Sequence, residues 1–177
     1  MITVVTGLGR CGSSMTMGML YAGGAPMSMR VKAPLFEMAG TKQNSYDWQY
    51  REEDLVIKVL HPCNHLWAPD LEFRWIWLSR DHKQQSKSMV KLAVTMDKGL
   101  RDFSIKKATA DSLAIIEKRG EQLLKLRFEF ILKHPHHWAQ RLADYLPDLD
   151  LDVDKMAEVV DTKRSPKCLP TMVELER

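Results

Sequence analysis

The chain has 177 residues, 45% hydrophobic and 28% charged, with a formal net charge of +3 at pH 7; that size and balance suit one globular domain burying roughly 70% of its unfolded surface. No apolar run approaches the ~20 residues of a membrane span, and the amino terminus reads as a core strand instead of a signal peptide, so a soluble, cytoplasmic protein is expected. The mild charge gives no reason to expect a nucleic-acid partner, and three cysteines set far apart, Cys11, Cys63 and Cys168, argue against a disulfide framework.

The first predicted element is a strand over Ile2–Val5. It runs into Gly7-Leu8-Gly9-Arg10-Cys11-Gly12-Ser13-Ser14 and then a Met-rich helix, Ser14–Tyr21. A strand, a glycine-rich turn and a helix start aim backbone N–H groups at an anion. The spacing from Gly7 to Gly12 to Ser14 fits the phosphate loop G-x-x-x-x-G-K-[ST], except that Ser13 stands where the lysine belongs. In kinases that lysine reaches the β- and γ-phosphates; here the cation is Arg10. Cys11, beside Arg10 and a helix start, is open to acidification of its thiol, against the simpler reading of a small residue that fits the turn.

Gly23 to Asp54 has mixed polarity and no clear period, and it holds Glu37, Asp47 and Trp48. A second strand is expected over Leu55–Leu60, with Lys58 near its carboxyl edge and His61 just past its end. A third, Phe73–Leu78, is marked by aromatic and branched residues. It runs into Ser79-Arg80-Asp81 and a helix from His82 to Met96, with Ser88 eight residues after Arg80. An arginine at the carboxyl end of a parallel strand can fork two N–H bonds onto a phosphate, and a serine early in the next helix adds a hydroxyl. The cations Lys83, Lys87, Lys91, Lys98, Arg101, Lys106 and Lys107 read mostly as a solvated face, with some contribution to an electropositive mouth.

A helix is expected over Thr109–Leu123, a strand over Leu124–Leu132, a helix over Pro135–Tyr145 and a short one near Val153–Val160. Four parallel strands separated by helices make a three-layer α/β pattern. His134, His136 and His137 have no Cys or carboxylate partner at ligand spacing and read as helix-start residues, so no metal is expected.

Three of these segments, in order, resemble the sulfotransferases that use 3′-phosphoadenosine 5′-phosphosulfate (PAPS). They are the Arg10-Cys11-Gly12-Ser13-Ser14 turn, the strand ending in Arg80-Asp81 with Ser88, and Arg127-Phe128-Glu129-Phe130-Ile131 followed by Asp144-Tyr145-Leu146-Pro147. The resemblance implies a P-loop-type parallel sheet flanked by helices, in a single domain over residues 1–177. Gly9, Arg10, Cys11, Gly12, Ser13 and Ser14 would hold the 5′-phosphosulfate, and Arg80 with Ser88 the 3′-phosphate. Residues 23–54 would shape the pocket of a small-molecule or carbohydrate acceptor, and Trp48, Trp67 or Phe103 would stack on adenine. PAP would be the product, no metal would be needed, and oligomerisation stays open.

Sulfonate transfer to a hydroxyl or amine needs a base for the acceptor proton and cations for the leaving oxygen. Arg10 and Lys58 suit the second task; His61, Glu37 or Asp47 suits the first. Cytosolic sulfotransferases carry a similar Lys-Thr-His-Leu-Pro, with His two places after Lys. Here, in Lys58-Val59-Leu60-His61-Pro62, it is three, and one residue along a strand reverses the side chain. Other members read Lys-x-Pro and use an upstream carboxylate. The Arg-Lys-Gly loop of cytosolic members is absent, with Asp161-Thr162-Lys163-Arg164 a loose substitute. A P-loop kinase and a non-catalytic PAP- or PAPS-binding module are the competing readings.

Overall fold

Every residue of Ile2–Gly7 is buried, as an apolar run without polar alternation requires of a strand covered on both faces. A computed structural model of the chain describes residues 1–27, 49–51, 55–90 and 98–160. Its elements are β1 (Ile2–Gly7), α1 (Ser13–Ala22), β2 (Val56–Leu60), β3 (Phe73–Ser79), α2 (His82–Val90), α3 (Lys98–Arg119), β4 (Leu123–Arg127), α4 (Phe128–Lys133), α5 (Pro135–Tyr145) and α6 (Val153–Glu158). The strands form one sheet in the order β2-β1-β3-β4, and every pairing is parallel.

Period-two alternation divides the core. Val5, Val56, Ile76, Leu78, Leu124 and Leu126 pack with α1, α4, α5 and α6 on one face. Ile2, Val4, Ile57, Val59, Phe73, Trp75 and Trp77 pack with Ile105 and Ile116 of α3 on the other. The protein is therefore an α/β fold with helices on both sides of a parallel sheet. Trp67 belongs to this second core: its ring sits edge-on to Phe73 and Trp75 at 5.2 and 4.6 Å, and its Nε1 donates to the Pro62 carbonyl at 3.0 Å.

Two expected elements are corrected. The segment Leu124–Leu132 is a strand only to Arg127 and turns helical at Phe128. Phe128, Ile131 and Leu132 are the buried apolar residues of α4, a spacing of i, i+3 and i+4 that marks a helix; a nine-residue apolar run holds both periods at once. The helix expected over Thr109–Leu123 starts earlier, at Lys98, and stops at Arg119. Gly120 ends it at φ +67°, the left-handed turn that commonly terminates helices. The expected helix from His82 is observed to Val90, and residues 91–97 lie outside the described residues.

A buried arginine closes the amino-terminal end of the sheet. Arg74 of β3 donates through Nη1 to Asp148 Oδ1 at 2.6 Å, and this bond holds the Asp148 carboxyl below its ordinary value of 3.8. A carboxyl depressed in the folded state stabilises the fold above its unfolded pKa and loses that contribution as pH falls through the folded value. The Asp148 side chain is 55% exposed, so solvent screens part of the interaction. Asp148→Asn is expected to cost about 1–2 kcal/mol at pH 7. The gap to the wild type should close as pH falls below ~4, the usual carboxyl range; urea unfolding between pH 3 and 7 measures it.

Candidate anion-binding site

The crossovers β1→β2 and β3→β4 step in opposite directions across the sheet. Parallel crossovers are right-handed, so their helices must fall on opposite faces, as α1 and α3 do. The loops leaving β1 and β3 therefore part at the carboxyl edge, where open α/β sheets bind ligands.

The β1–α1 turn is contorted. Arg10 has φ 68° and Gly12 has φ 97° and ψ 7°. A left-handed conformation costs a residue with a Cβ about 1–2 kcal/mol, and Arg10 is held in it by its neighbours. Its carbonyl accepts from Arg80 Nη1 at 3.2 Å, and its Nε donates to Ser88 Oγ at 3.0 Å. The preceding Gly9 carbonyl accepts from Gln85 Nε2 at 2.8 Å. Gly12 caps α1 without a side-chain hydrogen bond, and the first turn carries no acidic residue, so the positive end of the helix faces the turn.

Lys58 extends from β2 under the start of α1. It is 2% exposed, and its Nζ donates to Ser14 Oγ at 3.1 Å. A lysine of the neighbouring strand thus stands beside the start of α1. His61 reaches the turn from the other side, its Nε2 lying 3.4 Å from the Gly9 N–H. The odd, three-residue spacing between the two goes with this division. Lys58 shares the α1 face with Val56, whereas His61 leaves the strand at φ 52°, and that left-handed turn swings its ring back to the loop.

Gly9, Arg10, Gly12, Ser14, Lys58, His61, Arg80 and Ser88 thus meet at one edge. Cys11 joins them by its backbone alone: its side chain turns into the core, 1% exposed. Burial pushes the thiol up to about 11, which fits the simpler reading of a small residue in the turn and not an acidified thiol. Ser13 is buried as well, hydrogen-bonded to the Cys11 sulfur, so Ser14 carries the exposed hydroxyl. Glu37, Asp47, Trp48, Lys91 and Asp161–Arg164 lie outside the described residues, as do most of residues 23–54 and the side chains of Lys98, Arg101 and Phe103.

Three contributors are new. Gln85 shares a face of α2 with Ser88, and their i, i+3 spacing was the available signal. Phe128 packs so closely on the turn that a Cβ on Gly12 would lie 2.3 Å from its Cδ2, and the Arg80 guanidinium rests 4.8 Å above its ring centroid. Glu129, 2% exposed, accepts from the Asp81 N–H at 2.8 Å and sits 3.8 Å from Arg127 Nε, fixing the β3–α2 turn. Behind the loop, on the α2–α3 side, a cavity of about 410 Å³ opens between Leu8, Trp77, Gln85, Lys125 and Arg127.

Among the described residues no group of three His, Cys, Asp or Glu stands close enough to hold a metal, and no helix is long and apolar enough to cross a membrane. No protein-family model and no curated protein matches the chain.

Proposed function

We propose that this chain is a small sulfotransferase with a P-loop-type phosphate turn, binding PAPS and moving its sulfonate to a hydroxyl or amine acceptor. The observation that carries the reading is the joining of two turns far apart in sequence. Arg10 of the glycine loop bonds Ser88, and Arg80 bonds the Arg10 carbonyl, so cations for a 5′- and a 3′-anion occupy one edge. On this reading the start of α1 and the Ser14 hydroxyl hold the 5′-phosphate, and Arg80 with Ser88 holds the 3′-phosphate. The acceptor oxygen or nitrogen attacks sulfur in line as the bond from sulfur to the bridging oxygen breaks. The bond's electron pair leaves on the 5′-phosphate of PAP, where Arg10 and Lys58 stabilise the growing charge. His61 takes the acceptor proton. A P-loop kinase would need a lysine where Ser13 stands.

Release of PAP from PAPS in the presence of phenol, sugar and amine acceptors tests this. His61→Ala is expected to lower transfer by roughly 10²–10⁴, the usual contribution of a general base, while PAP affinity changes only a few-fold. Transfer at the wild-type rate in His61→Ala would move the base to Glu37 or Asp47. No transfer to any acceptor in the wild type would favour a non-catalytic module.

A further inference from the structure

Gly9 is held through both of its backbone polar groups, and the carbonyl shares its peptide plane with the Arg10 N–H. The Gly9 N–H faces His61 Nε2 at 3.4 Å and the Gly9 carbonyl takes the Gln85 amide at 2.8 Å. Gln85 is 3% exposed, and a buried amide is costly unless it is hydrogen-bonded; the loop carbonyl is the partner that makes its burial tolerable. The next carbonyl, that of Arg10, is held by Arg80 at 3.2 Å. Two successive carbonyls are thereby drawn toward α2.

An anion-binding turn works only while its N–H groups, and not its carbonyls, face the ligand. A carbonyl released from α2 would be free to rotate toward the anion and repel it. The left-handed φ values of Arg10 and Gly12 set such a turn, and nothing in a glycine side chain can hold the Gly9 peptide in place. We infer that Gln85 is a positioning residue of the anion site, holding the Gly9 carbonyl away from the 5′-anion so that the loop presents its N–H groups. The inference rests on the sulfotransferase reading of the loop. Arg80, Gln85 and Ser88 then act as one unit: the turn into α2 and two successive turns of that helix brace the loop they face.

The test compares two ligands by calorimetry in wild-type protein and Gln85→Met. PAP has anions at both ends, whereas adenosine 3′-monophosphate lacks the 5′-anion. Positioning predicts that Gln85→Met binds PAP at least ~10-fold more weakly, as loss of one well-placed hydrogen bond implies, while adenosine 3′-monophosphate stays within about threefold of wild type. Equal weakening of both ligands, or of neither, would overturn it, because a general loss of structure does not discriminate between them. If Gln85→Met proves unfolded by thermal melting, Gln85→Glu, which keeps the shape but puts a carboxylate against the carbonyl, carries the same comparison. A wild-type protein that binds inorganic pyrophosphate but not PAP would sink the sulfotransferase reading alone, with the role of Gln85 then judged on pyrophosphate. Binding of none of the three by wild type would overturn both.

Discussion

Arg80→Ala is expected to weaken PAP binding about a hundredfold or more, a loss of roughly 3 kcal/mol or more. The side chain has two tasks on the proposed reading. It would give the 3′-phosphate charge-assisted hydrogen bonds contributing ~1.5–3 kcal/mol each, and it holds the Arg10 carbonyl at 3.2 Å. Its guanidinium carbon lies over the Phe128 ring, 4.8 Å from the centroid, and this contact holds the side chain before ligand arrives, which lowers the entropy lost on binding. Arg80→Lys keeps the charge but loses the planar fork and the stack, so an intermediate loss is expected. Ser88→Ala, removing one hydroxyl, should cost only about 1–2 kcal/mol. Calorimetric titration with PAP ranks the three; an Arg80→Ala variant that binds like wild type would remove the 3′-anion subsite from the account.

Gly12→Ala should destabilise the fold strongly. The new Cβ would sit 2.3 Å from Phe128 Cδ2, in a residue at φ +97°. The left-handed backbone costs about 1–2 kcal/mol, and forcing a methyl against a packed ring about 1–3 more. The combined loss of ~2–5 kcal/mol corresponds to a fall in Tm of roughly 5–20 °C for a domain of this size. Gly24 supplies the control, since it has φ +95° but nothing within 4 Å of an added Cβ, so Gly24→Ala should show the backbone cost alone. Phe128→Leu should recover part of the Gly12→Ala loss, a coupling that a double-mutant cycle measures. Equal Tm losses for the two alanine variants would contradict the crowding.

Much of the site was legible because local chemistry and position agree there. The run into Gly7-Leu8-Gly9-Arg10-Cys11-Gly12 reads as a strand and an anion-binding turn, and the turn has left-handed residues at Arg10 and Gly12. The interval between Arg80 and Ser88 reads as one turn plus a helix, and both residues reach Arg10. What escaped depends on tertiary contact. Phe128 and Glu129 belong to an apolar run whose helical and strand periods overlap, and only their packing on Gly12 and Asp81 shows what they do. Gln85 is one of several polar residues on a polar helix until Gly9 lies against it. His61 shows the limit of parity arguments: the count along β2 aims it away from Lys58, and a left-handed backbone, φ 52°, returns it to the loop. Cys11 fits the simpler of its two readings, a small residue in the turn, because burial outweighs proximity to a helix start.

Titration of the wild-type protein with PAP and, separately, with ATP plus magnesium tests the central claim most directly. Saturable one-site binding of PAP is expected, with at least ~100-fold weaker binding of ATP, which lacks the 3′-phosphate that two charge-assisted contacts would hold. Preference for ATP with magnesium would contradict it in favour of a kinase, and binding of neither would leave a scaffold that keeps the fold without the donor site.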